Sequence, residues 1–158
     1  MNVIKKTLFR AVFTRSSPML NMLSGEVGTL GKTFYNKYGK ESLPMIAGVV
    51  SQSGVEWGKI MRNNSPTKSM KAAGELQKII GDSLGWGVGL VEVTDEKLHF
   101  KVSKCPFGIE GTSKELCEAM MIMDEKRMST YLEQEVEVKI LKSVAAADKQ
   151  CEVIFLKK

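Results

Sequence analysis

The apolar residues of this 158-residue chain change their spacing about halfway along, and that change constrains the fold more than any motif. Up to about residue 80 they recur every three or four positions, the period of helices packed on one face. Beyond residue 85 they alternate: Leu98, Phe100 and Val102 with His99, Lys101 and Ser103, then Val136, Val138 and Ile140 with Glu135, Glu137 and Lys139. Alternation of that kind builds strands with one buried and one wet face.

Breaks in the pattern divide the first half into four helices. The first runs from Met1 to Phe13 and stops at Ser16-Ser17-Pro18. The second spans Pro18 to Tyr38, with Gly39 as its stop. The third has Pro44 in its first turn and reaches Arg62, and the fourth runs from Pro66 to Ile80. In the second half Thr94-Asp95-Glu96-Lys97 turns one hairpin. Thr112 and Glu115 form a capping box for a helix that ends near Leu132. After Val136–Ile140, a turn at Ala147-Asp148-Lys149 leads to a last strand with Cys151, Val153 and Phe155 on one face. The expected fold class is α/β in the broad sense, specifically α+β. N-terminal helices (1–80) pack on a small, mainly antiparallel four-stranded sheet from a β-β-α-β-β half (81–158), in one domain of 1–158.

Charge is distributed unevenly. Residues 1–80 carry 12 Lys and Arg against 4 Asp and Glu, and residues 81–158 carry 11 against 14, for a net +5. The first 25 residues contain Lys5, Lys6, Arg10 and Arg15 and no acid. Arg10 interrupts the apolar run that a secretory signal requires, so a basic amphipathic helix is the expectation, with a transit peptide as the alternative. No apolar run approaches the roughly 20 residues of a membrane span. The aromatic residues do not interleave with the basic ones as a nucleic-acid stacking surface would, so direct nucleic-acid binding is not expected. Gly81, Gly85, Gly87 and Gly89 around Trp86 match no phosphate loop and read as a helix stop leading into a strand.

An odd count of three cysteines without an export signal predicts reduced thiols in the cytoplasm. Cys105 follows the second strand, Cys117 lies early in the capped helix and Cys151 opens the last strand. A cluster of the three could hold zinc, or an iron–sulfur cluster with one open corner; the plainer alternative is three small hydrophobes in a core. Candidates for a fourth ligand are poor. His99, the only histidine, lies about 20 Å from Cys105 along a straight strand, on the wet face. Asp124 is about 10 Å from Cys117 along the helix. As nucleophiles, Cys105 (beside Lys104) and Cys117 (near a helix N-terminus, after Lys114) are the catalytic candidates, with no usable histidine as base.

Gly48, Ser51, Gly54 and Gly58 form a stripe of small residues on the third helix, which another helix or a ligand can approach closely. Met120, Met121, Met123 and Met128 line the Cys117 helix. Methionine adapts to varied apolar shapes, although at helical spacing it also makes ordinary core. Gly54, Gly58, Met120 and Met121 are therefore the candidates for lining a small-molecule pocket.

Cys105-Pro106, Leu116-Cys117 and Ala147-Asp148 before Cys151-Glu152 resemble the four-vinyl-reductase-type, hydrocarbon-binding domain superfamily and its aminothiazoline-carboxylate hydrolase-like relatives, over roughly residues 86–156. The resemblance implies a helical layer on an antiparallel sheet, often a homodimer, with an apolar pocket between layers. It places Cys105, Cys117 and Cys151 at the family's cysteine positions, for zinc or redox sensing. Two departures weaken a complete zinc site: Ala147 stands where relatives often have glycine, and Ser143 and Val144 occupy the stretch where some carry a further cysteine.

The leading expectation is a small-molecule (apolar ligand) binding or sensory domain with a redox-active or metal-binding cysteine cluster. It would act as a homodimer beside a separate regulatory protein partner. The alternative is a cysteine-dependent hydrolase of a small heterocyclic or amide substrate. A third reading is a scaffold whose basic helical half docks a partner.

Overall fold

The computed structural model describes residues 3–158, with side chains from Thr7 onward. Its elements run α1 (Val3–Tyr38), a 3-10 turn Gly39–Ser42, α2 (Leu43–Asn64), α3 (Met70–Ser83), β1 (Val88–Val93), β2 (Lys97–Val102), α4 (Lys114–Leu132), β3 (Val136–Lys142), a 3-10 turn Val144–Ala146 and β4 (Cys151–Lys157). All pairings are antiparallel and the sheet order is β1-β2-β4-β3, so the last strand inserts between the two hairpin regions. The expected α+β class and four-stranded sheet are both present.

The first two expected helices are one. Pro18 lies inside α1 and does not end it, and Met1 and Asn2 fall outside the described residues. Proline in a helix interior costs about 3 kcal/mol through a lost hydrogen bond and a clash with the preceding turn. Here Thr14, whose carbonyl loses its partner, and Pro18 itself are both exposed to water. The helix is also pinned on either side of the defect. Arg10 reaches Asp82, while Asn21 donates to the Leu84 carbonyl at 3.0 Å and accepts from the Trp86 indole N–H at 2.8 Å. Those three tertiary contacts outweigh a local breaker.

Two other helix starts shift for a local reason, a serine hydroxyl that caps the first turn. Helix α3 begins at Met70, not Pro66, because the Ser69 hydroxyl accepts from the Ala72 N–H. Helix α4 is capped by Ser113, not Thr112: the Ser113 hydroxyl accepts from the Leu116 N–H at 3.1 Å, and Thr112 instead donates to the Ile109 carbonyl at 2.7 Å. Glu115 therefore pairs with Lys40 at 2.6 Å rather than closing a capping box. Around Trp86, Gly85 (φ 74°) and Gly87 (φ 67°) supply the left-handed turns that carry α3 into β1, as the helix-stop reading expected.

One apolar core joins the inner sheet face to α3 and α4. It contains Leu98, Phe100, Val102, Val136, Val153, Phe155, Met70, Met128 and Tyr131. Phe100 and Phe155 stack at 5.6 Å, and the buried Tyr131 hydroxyl donates to the Thr67 carbonyl at 2.6 Å. A second core, with Ile46, Val50, Ile109, Leu116, Cys117, Met120 and Ala145, lies between α2 and α4 and extends beneath the Val144–Ala146 turn. The opposite sheet face carries His99, Lys101, Glu152 and Lys142.

Candidate functional site

The candidate site occupies the end of the sheet where β2 finishes, α4 begins and β4 starts. Cys105 sits in the turn after β2, and the Gly108 N–H donates to its carbonyl at 3.4 Å. Cys117 is in the first turns of α4 and is buried. Cys151 opens β4 opposite Val102 on the apolar face. The Ser143–Ala147 loop closes over them. The Ser143 hydroxyl hydrogen-bonds Cys117, and the Val144 N–H donates to Cys151. Asp148 holds the loop by accepting from the Ser143 N–H at 2.8 Å, and the Gly111 N–H ties the Cys105 loop to the Val144 carbonyl at 3.1 Å.

Cys105 and Cys151 lie close enough to Cys117, and Cys105 to Cys151, to add to the cost of ionising those two deeper thiols. Burial dominates. It pushes the Cys117 thiol up to about 11, against the opposing Ser143 hydrogen bond and with small additions from Cys151 and Cys105. The helix N-terminus was expected to favour a thiolate at Cys117. Desolvation overrides it, since Cys117 follows the cap by a full turn and its own N–H already bonds the Ser113 carbonyl. Cys151 is also raised, first by burial and then by Cys105, Glu110 and Asp148, against the Val144 N–H.

Metal ligation requires deprotonated donors converging on one point. Among the described residues no three His, Cys, Asp or Glu groups are so arranged. As placed, Cys105, Cys117 and Cys151 do not fit a zinc or iron–sulfur site. Nucleophilic catalysis fares no better. His99 lies on the other face of the sheet, as its parity indicated. It is not solvated there: its Nε2 meets the Glu152 carboxylate at 2.9 Å, with Lys142 and Lys101 at 3.5 and 3.9 Å from the same carboxylate. These cations and His99 hold Glu152 below the usual carboxylate range despite the burial that opposes them.

Two members of the small-residue stripe, Gly54 and Gly58, serve helix packing, whereas Gly48 is exposed with nothing within 4 Å of an added carbon and Ser51 lines an open groove. A Cβ on Gly54 would collide with the Met123 carbonyl, and one on Gly58 would sit 2.6 Å from both the Arg127 carbonyl and Thr130. Helices α2 and α4 therefore meet backbone to backbone there, with no room for a ligand at either glycine. Met120 is fully buried in the second core, and Met121 is half-buried between the two cores.

Met121 also opens onto a cleft of about 160 Å³ between α4 and β3. Its floor is Met121, Ile122, Val138 and Ile140, and Glu118 and Glu125 stand at its rim. None of the expected pocket residues except Met121 lines this cleft. The signal available was Glu118 and Glu125, seven residues apart and so on one face of α4, facing the alternating Val138 and Ile140 of β3. A larger open groove of about 460 Å³ is lined by Ser51, Gln52, Val55, Glu56 and Lys126.

No protein-family model matches the sequence, and no curated protein matches it. Solved structures do. The chain is similar to the phenol-responsive sensory domain of the transcription activator PoxR, crystallised with phenol: 14% identity, TM-score 0.63, over 85% of this chain and 74% of that one. It is also similar to a trafficking protein particle complex subunit 3 from Naegleria fowleri covalently bound to palmitic acid: 14% identity, TM-score 0.53, over 87% and 94%. At such identities the likeness is one of fold.

Proposed function

We propose that this chain is a small-molecule-binding module of the sensory kind, taking a compact apolar ligand through the cleft between α4 and β3. The observation that carries the proposal is that cleft: an apolar floor that adjoins the core holding Cys117 and Met120. An apolar floor with a few polar groups at the rim is the makeup of a small-ligand site, here at a volume of about 160 Å³ that suits only a compact ligand. The fold shared with a phenol-responsive domain and with a palmitate-bearing subunit supports the reading without fixing the ligand. On this proposal the chain is a member of the hydrocarbon-binding superfamily. Residues 1–158 act as one domain in the cytoplasm, as a homodimer, beside a separate regulatory partner.

The cysteines enter as a redox reporter rather than a metal site. Cys105 and Cys151 are half-buried and Cys117 is buried. Oxidation would join two of the thiols in one disulfide, with two electrons and two protons passing to a peroxide that leaves as water.

Calorimetric titration with phenol and with short-chain fatty acids tests the ligand. We expect saturable binding that Met121→Trp abolishes by filling the cleft. The proposal fails if no such ligand binds, or if binding is indifferent to Met121→Trp. A thiol count before and after peroxide, with metal content on anaerobically purified protein, tests the cysteines. Two thiols lost together is the expected result; stoichiometric metal would overturn the redox reading.

A further inference from the structure

The outward face of α1 carries a series of large apolar side chains, interrupted only at Ser16, that the rest of the protein leaves exposed. Leu8, Val12, Met19, Leu23, Leu30 and Phe34 are all between 40% and 66% exposed. The inward face bears the buried Gly28 and Gly31, against Phe107 and Met120, and the hydrogen-bonded Asn21. At about 100° per residue Asn21 and Gly28 lie on the opposite side of the helix from Leu23, and Gly31 lies on its flank. A helix that rests one line of residues on its own domain and presents an apolar line to water is built for a second contact.

The spacing of the outward line says what that contact is. From Leu8 to Tyr38 the steps are four, four, three, four, four, three, four and four residues. That series reads the same in both directions and is centred on Leu23. A two-fold pair requires a self-complementary surface, in which residue i meets residue j and j meets i. Two antiparallel copies of α1 crossing at Leu23 satisfy this. Leu8 meets Tyr38, Val12 meets Phe34 and Met19 meets Val27, while Leu23 meets its own copy. Ser16, the one polar member, meets Leu30. The repeat of eleven residues keeps the line nearly straight along the helix, so the partners stay in register over its length. The line runs about 45 Å, and with Met22 beside it offers an area of the order of the ~800 Å² per partner that a stable interface buries. A bilayer surface has no use for a symmetric sequence of steps. It favours a dense Lys and Arg border, whereas this line is bordered by Arg15, Glu26 and Lys37, and Arg10 is turned inward to Asp82.

We infer that the outward face of α1 is the dimer interface of this protein, formed by an antiparallel α1 pair with its two-fold axis at Leu23. The inference rests on the homodimer reading above and gives it a surface. Sedimentation equilibrium of the full chain is expected to show a dimer. Leu23→Glu, which sets two carboxylates together on the axis, is expected to weaken it by roughly 30-fold or more, with an unchanged helical signal in circular dichroism because the site is exposed in one copy. Leu23→Cys is expected to link two chains through a short bifunctional maleimide, where Val49→Cys, also exposed, and the unaltered protein do not. A monomer at every concentration would overturn both the homodimer reading and this one. A dimer indifferent to Leu23→Glu and unlinked by Leu23→Cys would leave the homodimer standing and overturn the surface. A monomer that binds vesicles of anionic lipid through α1 would overturn the inference in favour of a lipid surface.

Discussion

Helices α1 and α4 are both long, yet they are held in opposite ways. Along α4, Leu116, Cys117, Ala119, Met120, Met128 and Tyr131 are buried, so the helix is gripped from several sides by the sheet and by α2. Along the 36 residues of α1 only Gly28 and Gly31 are buried among the described side chains, and most of the large ones are exposed, with Phe9, Phe13, Leu20 and Tyr35 half-buried. Helical stability in proteins comes mostly from tertiary packing rather than from propensity. The difference teaches that α4 is held by packing within one chain, whereas α1 leaves most of its outer face uncovered.

The sharpest way to break this comparison is to truncate one apolar side chain on each helix. Leu116→Ala, at a fully buried position, is expected to cost about 3–5 kcal/mol. Leu30→Ala, on the outer line of α1, is expected to cost less than about 0.5 kcal/mol when measured by urea unfolding of dilute protein. Repeating the α1 measurement at high concentration sharpens the contrast, because pairing through α1, as inferred above, would then enlarge the Leu30→Ala effect. Equal costs on the two helices would mean that α1 belongs to the core.

The next effect is pH-dependent and belongs to the α4 side alone. Cys117 has its thiol pushed up to about 11 by burial, against an ordinary value of 9.0. Between those values the unfolded chain has lost the proton and the folded one keeps it. The stabilisation is thus fully present below about pH 9 and is lost as the pH rises toward 11. It amounts to about 2–3 kcal/mol at most. Cys117→Ala should flatten the alkaline limb of a stability profile. In the unaltered protein, Cys117 should also be the slowest of the three cysteines to alkylate at neutral pH; fast alkylation there would contradict the neutral thiol.

A smaller effect separates glycines that look alike in sequence. Gly54→Ala drives a methyl group into the Met123 backbone and is expected to cost about 1–3 kcal/mol. Gly25→Ala on α1, with nothing within 4 Å of the added carbon, is expected to gain about 0.5–1 kcal/mol. If both substitutions cost the same, the close α2–α4 approach is wrong.

That pair of glycines also marks the limit of what was legible beforehand. Periodicity delivered the α+β class, the two hairpins and the inner faces of β2 and β4, because alternation follows directly from burial on one side. It put a stripe at Gly54 and Gly58, but a stripe of small residues reads the same whether a helix or a ligand approaches it. Pro18 misled because the cost of a proline is local, whereas the contacts of Arg10 and Asn21 that offset it lie more than sixty residues away in sequence. Strand ends and a helix start suggested that the three cysteines lie near one another, but not that burial would raise Cys117 and Cys151, because burial depends on the neighbouring Ser143–Ala147 loop.

The smallest effect tests that loop. Ala147 has φ 67°, the left-handed region where a Cβ crowds the backbone, and it closes the Val144–Ala146 turn by donating its N–H to the Val144 carbonyl. The strain of an alanine there is about 1 kcal/mol. Ala147→Gly relieves that strain but adds freedom to the unfolded chain, which takes back part of the gain. A net stabilisation of under about 1 kcal/mol is expected in urea unfolding, with no change at the outer face of α1. Ser143 and Val144 hold Cys117 and Cys151 from this same loop, so the alkylation rates of those two cysteines report whether the relief reaches the site. If the loop is already fixed by Asp148 and Gly111, stability rises while the thiol rates stay put. If strain at Ala147 is what lets the loop open, both thiols should react more slowly in Ala147→Gly, which would make this turn the gate through which oxidants reach the cluster.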